Sequence, residues 1–310
     1  MSEHLFHQSL RSRLYRFFAL ASLLVTAQAA QTAPVYTPET GPIPALHITR
    51  VMNNEPQKRV LQEHQNMCLV QVNLYREQAA GNADMKAFIE RMARDEWPDF
   101  SLDRALEAVE DWSKIGQVRT EEYFDGPRYA RYVHRTDYTV ATDGSCKLLE
   151  QKQVIADIDD GVHRYRIDLV RKQGTRSPSP ALAEKNGQLE IDSLTDTTDR
   201  MLLSIARSYA QGARDNGANP SELLEHPVTK ERVAGEWCDR MVVKDSGAMI
   251  CLWSRSPVYP GAVARPVVLW SQNRVGTDTA EDKATSVRRL EHVPDEFFTP
   301  PADVRFGSKR

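Results

Sequence analysis

The sequence predicts an α+β protein dominated by a curved, mostly antiparallel sheet, with helices packed on one side. Two observations carry that expectation. Apolar residues at helical spacing precede runs of period-two segments in both halves of the chain, and Asp-Gly dipeptides separate the segments of the first run. At 310 residues, with 41% hydrophobic and 27% charged side chains, there is enough apolar material for a sizeable core. Forty basic residues against 43 acidic ones give a net charge of −3, which does not call for a nucleic-acid partner.

The chain opens on the plan of a secretory signal peptide. Arg11, Arg13 and Arg16 form a cationic start, and Phe17 to Thr26 an apolar run too short to span a bilayer. Ala27-Gln28-Ala29 then supplies the small residues that a signal peptidase reads. Cleavage near Ala29, a periplasmic location and no later transmembrane segment are the expectation. Residues 30–45 carry Pro34, Pro38, Pro42 and Pro44 and read as an extended leader. A first lobe is expected over 46–172, a linker or excursion over 173–187 around Ser177-Pro178-Ser179-Pro180, and a second lobe over 188–310. Whether the lobes share one core stays open at this stage.

In the first lobe, Met85, Phe88, Ile89 and Met92 lie on one helical face, and Trp97-Pro98 stops the helix. Ser101 is placed to cap a second helix with the stripe Leu102, Ala105, Leu106, Val109 and Trp112. After Gly116 the period changes to two. Ala130, Tyr132, His134, Thr136, Tyr138 and Val140 share a strand face, and His163, Tyr165, Ile167 and Leu169 another. Asp143-Gly144 and Asp160-Gly161 mark hairpins, giving a three-stranded meander. The second lobe begins with a helix over Thr198 to Ala213. Strands follow around 236–244, 248–254, 267–272 and 286–292, and the Pro-containing tail suits a closing edge segment.

Cys68, Cys146, Cys238 and Cys251 read as two disulfides in an exported chain. The neighbours Cys238 and Cys251 are the obvious pair, which leaves Cys68 with Cys146. A regular hairpin centred on Ser246 would, however, put Cys251 opposite Met241 and turn Cys238 to the other face, so that pairing needs a bulge.

The motifs of several activities are missing: no G-x-S-x-G, no phosphate-cradling or dinucleotide glycine pattern and no H-E-x-x-H. No catalytic residue, cofactor or metal ligand is therefore assigned. His134 and His163 are the best histidine pair, without an identifiable third ligand. Asp157-Ile158-Asp159-Asp160-Gly161 reads as a hairpin, because the spacing and the late glutamate of a calcium loop are missing. Residues 119–172 hold ten Lys/Arg and ten Asp/Glu, so their arginines form a solvated face rather than a basic patch. Trp237, Trp253 and Trp270 are read as core before aromatic platform.

Residues 233–306 contain Gly235-Glu236-Trp237-Cys238, Cys251-Leu252-Trp253, Val293-Pro294 and Phe297-Phe298-Thr299-Pro300-Pro301. This segment resembles the end of uncharacterised periplasmic proteins with the fold of the outer-membrane lipoprotein carrier. The resemblance implies a curved sheet half-enclosing helices around an apolar concavity, and it transfers no functional residue. The leading expectation is a non-catalytic binder of an apolar ligand or an envelope protein, with Tyr132, His134, Tyr138, His163 and Tyr165 on the ligand face. A hydrolase with its active site between the lobes, or an adaptor using a sheet edge, are the alternatives.

Overall fold

The computed structural model describes residues 44–179, 225, 228–243, 247–254, 267–275 and 277–307. In chain order the elements are β1 (Ala45–Asn54), α1 (Glu55–Ala79), α2 (Ala83–Arg94), β2 (Gln117–Asp125), β3 (Arg128–Val140), β4 (Leu148–Asp159), β5 (His163–Asp168) and β6 (Gln173–Pro178). Then come β7 (Thr229–Val233), β8 (Glu236–Val242), β9 (Met249–Trp253), β10 (Val268–Val275), β11 (Asp278–Leu290) and β12 (Arg305–Phe306). All twelve strands join one sheet in the order β12-β6-β5-β4-β3-β2-β1-β11-β10-β9-β8-β7, antiparallel except for β12 on β6. Among the described residues the only α-helices are α1 and α2, so the protein is mainly β and less helical than the α+β expectation.

β1 joins the two runs of strands, pairing with β2 on one side and β11 on the other. The sheet curls. Val233 of β7 packs in one core with Leu46 and Ile48 of β1, Cys251 and Trp253 of β9, and Leu269 of β10. Arg289 of β11 reaches Glu236 of β8 at 2.6 Å and lies over the Trp253 ring, fastening the curl. At the other half of the sheet, the C-terminal tail covers a second core. There Val293 and Phe298 pack on Tyr123, Ala130, Ile158 and Ile167. β12 closes the edge, as the tail's prolines lead one to expect.

Both Asp-Gly hairpins of the first lobe form, and β3 pairs with β4 from Tyr129↔Asp159 to Val140↔Leu148. In the second turn, Asp159 accepts from the Gly161 N–H and Asp160 from the Val162 and His163 N–H groups, so these carboxylates serve the hairpin itself. Residues 173–178, read from sequence as the start of a linker, are strand β6. The helix expected over Thr198–Ala213, the signal peptide and residues 30–43 of the leader fall outside the described residues, and the leader's last residue, Ala45, already opens β1.

The helix expected from Ser101 does not form. Its backbone is bonded from elsewhere: Arg76 of α1 donates to the Leu102 and Arg104 carbonyls, Gln65 engages Glu107 and Val109, and the Glu107 N–H donates to the Ser145 carbonyl. Tertiary partners thus replace the local i→i+4 bonds. The expected helix at 85–92 is present as α2, yet its apolar side chains divide. Ile89 is buried, while Met85, Phe88 and Met92 are 40%, 49% and 55% exposed.

The disulfides are Cys68–Cys146 and Cys238–Cys251. The register of β8 and β9 places Arg240, not Met241, opposite Cys251. This one-residue difference from a hairpin centred on Ser246 returns Cys238 to the face of Cys251, diagonally across the ladder, with Cα atoms 5.3 Å apart.

Candidate functional site

Asn54 ends β1 and caps α1, its side chain accepting from the Gln57 N–H, and Pro56 falls in the first turn, where a missing N–H costs nothing. The helix then runs 25 residues across the end of the sheet. Its inner side presents Leu61, Cys68 and Val72 toward the last residues of β3, and Cys68 is tied covalently to the turn after that strand. Phe100 and Leu102 pack against Val72 and Ile89, and Phe100 is 1% exposed.

Between α1, the end of β3 and the Trp97–Phe100 segment lies a cavity of about 500 Å³. Leu61, Val72, Trp97, Phe100, Tyr138 and Val140 line it, and Cys68 brings the disulfide into its wall. His64, Met67 and Gln71 lie along the helix side. Among the described residues, no Asp, Glu, Lys or Arg contributes to the lining. Gly144 completes the wall at φ +93°, and a Cβ there would stand 2.3 Å from the Ser101 carbonyl oxygen, so only glycine lets the turn approach this closely. The volume and the apolar lining with few neutral polar groups are those of a small-molecule pocket.

The five residues expected to share a ligand face are distributed over the structure. Tyr138 lines the cavity. Tyr132 is half-buried under the tail, where its hydroxyl donates to the Phe297 carbonyl at 2.8 Å, and burial pushes its pKa up to about 12. Tyr165 is buried in the same core and donates to Asp160. His163 lies beside Arg176 at the β5–β6 edge, and His134 is exposed. Although both histidines point to one face, His134 is opposite Val154 while the His163 carbonyl meets Asp160, six residues on and just past the end of β4. That is about 20 Å, too far to share a metal ion. Among the described residues no group of three or more His, Cys, Asp or Glu could hold one. Trp253 and Trp270 are buried, and Trp237 is 58% exposed.

A second cluster was not legible from the sequence. His47 stacks on Tyr123 at 4.5 Å, and Tyr123 on Phe297 at 4.2 Å. Glu121 accepts from the Tyr123 hydroxyl at 2.8 Å and pairs with Arg119 at 2.7 Å. His47 Nε2 stands 3.7 Å from Glu121, beyond hydrogen-bond range. Burial, with Arg288 and Arg119 nearby, holds His47 below its ordinary 6.5, against the opposing pull of Glu121. The geometry is that of a stack fastening the tail to the sheet, not of a His–carboxylate dyad activating a nucleophile. Residues from β1, β2 and the tail meet here only through strand pairing, which explains why sequence spacing concealed them.

No protein-family model and no curated protein matches the chain. No helix among the described residues is long and apolar enough to cross a membrane.

Proposed function

We propose that this is an exported, non-catalytic binding protein whose ligand is apolar and is seated between α1 and the end of β3. The observation that carries the reading is the cavity of about 500 Å³, to whose lining no charged side chain among the described residues contributes. A buried ionic headgroup would find no counter-ion there, so the buried part of the ligand is a hydrocarbon chain or ring system, with any polar end toward His64 and Gln71. Export is supported by the signal-peptide pattern and by the two disulfides, which belong to an oxidising compartment such as the periplasm. The resemblance of residues 233–306 to the lipoprotein-carrier fold points the same way.

The test is tryptophan quenching by a brominated fatty acid. Trp97 lines the cavity, so dibromostearate is expected to quench saturably, and Trp97→Phe to remove that component. Val140→Arg, which places an unpaired charge in the pocket, is expected to abolish quenching while the melting transition persists. Undiminished quenching in both variants would sink the cavity as the ligand seat. Intact mass of the exported protein checks cleavage after Ala29.

A further inference from the structure

α1 is apolar on two sides. On the flank and outer side, next to the face of Leu61, Cys68 and Val72, it carries Val60, Met67, Val70 and Leu74, exposed by 47%, 61%, 70% and 45%. Val60, Met67 and Leu74 are spaced by seven, so they form a nearly straight line along the helix; of the intermediate heptad positions, the central one is Val70 and the outer two are Glu63 and Glu77. A narrow seam of this kind is shaped for another helix. With Met85, Phe88 and Met92 of α2, the two helices leave seven large apolar side chains at least 40% exposed. Contiguous apolar patches of more than a few hundred Å² are uncommon on monomers and mark interaction surfaces.

The sequence of the seam indicates its occupant. Its line of three is symmetric about Met67, with an aliphatic residue two turns away on either side, and Val70 falls opposite the partner's His64. An isologous contact requires that kind of self-complementarity: residue i meets j while j meets i. We infer that this face of α1 docks antiparallel on α1 of a second copy, Met67 against the partner's Met67 and Val60 against the partner's Leu74. Charge agrees with that direction. Arg59 pairs with Asp278 of its own chain at 3.1 Å and stays half exposed; a two-fold axis at Met67 leaves it and the partner's Glu77 on the same side and within about one helical turn of each other, and the reciprocal pair forms on the other half. α1 as a whole carries Glu55, Glu63 and Glu77 against Lys58, Arg59 and Arg76, so no net charge opposes two copies meeting.

Met67 also lines the cavity. The partner's α1 therefore lies across the side of the cavity at which Met67, His64 and Gln71 stand, and ligand exchange requires the two copies to separate. This last consequence rests on the apolar-ligand reading; the docking does not.

Sedimentation velocity of the mature protein across the micromolar range is the test. A concentration-dependent dimer is expected, with Met67→Glu and Val70→Glu monomeric throughout and Val162→Glu, an exposed apolar site on the β4–β5 turn, still dimeric. Val70 is outside the cavity lining, so Val70→Glu is expected to keep dibromostearate binding and release it several-fold faster. Glu77→Arg, which turns the partner's carboxylate into a like charge beside Arg59, is expected to weaken the dimer. A wild type that stays monomeric, or a dimer that survives both glutamate variants, overturns the inference. A dimer without quenching would leave the docking intact and remove the ligand reading; quenching by a strict monomer would do the reverse.

Discussion

Gln65 holds three backbone groups at once. Only 2% exposed, it donates to the carbonyls of Glu107 and Cys146 and accepts from the Val109 N–H, binding the irregular segment after Phe100 to α1 and to the disulfide turn. Gln65→Leu leaves those buried groups unpartnered and is expected to cost about 3 kcal/mol, read from the urea midpoint. Arg50 has a comparable place in the sheet. Buried at 5% exposure, it bridges Asp282 at 3.1 Å, Glu122 at 3.6 Å and the Val268 carbonyl. Arg50→Ala takes the shared cation from Asp282 and from Glu122, which keeps the Tyr129 hydroxyl at 3.1 Å, and a loss of about 2–3 kcal/mol is expected in the same assay. His47 sets a pH dependence. Its folded pKa is below 6.5, so between those values the unfolded chain binds the proton and the folded one does not. Its contribution to stability is full above 6.5 and is lost as pH falls toward the folded value. Melting temperature is expected to fall less steeply from pH 7 to pH 5 in His47→Gln than in the wild type; equal slopes would remove His47 as the cause.

Among elements, α1 was the least legible and the most consequential. Its apolar residues occupy both an inner and an outer side, so no single stripe stands out at the helical period. The signals that could have found it are Asn54 and Pro56 at its start and the lack of Gly or Pro until Gly81. The segment after Ser101 shows the converse: a clean periodic stripe, overridden because side chains of α1 capture its backbone. The disulfides act at this scale too. Cys68–Cys146 spans 78 residues and Cys238–Cys251 only 13. If constraint of the unfolded chain dominates, replacing the first pair by serine costs about 4–5 kcal/mol and the second about 3. Loss of the first pair is also expected to weaken dibromostearate quenching, because that bond forms part of the cavity wall. An equal effect of the two replacements on both readouts would overturn this division of labour.

At the scale of the molecule, the chain folds as one sheet because β1 needs a partner from each half of the sequence. Leu46 and Ile48 of β1 complete the core built by β7 to β10. One cooperative calorimetric transition is therefore expected. A chain ending at residue 187 lacks β11 beside β1 and is expected to show no cooperative melt. Two resolved transitions, or a stable short fragment, would mean that the halves fold separately.

Local chemistry was enough to read the three-stranded meander, its Asp-Gly turns, most strands of the second half and the presence of two disulfides. Period-two alternation and positive-φ dipeptides act over a few residues and can be read without the rest of the chain. Tertiary structure alone decided the pairing of β1 with β11, the curl that joins the halves, the diagonal register of Cys238 and Cys251, and the cavity. Those features depend on contacts between residues far apart in sequence, such as Gln65 with Cys146 and Arg50 with Asp282. Their free energy exists only once the sheet has brought the partners together.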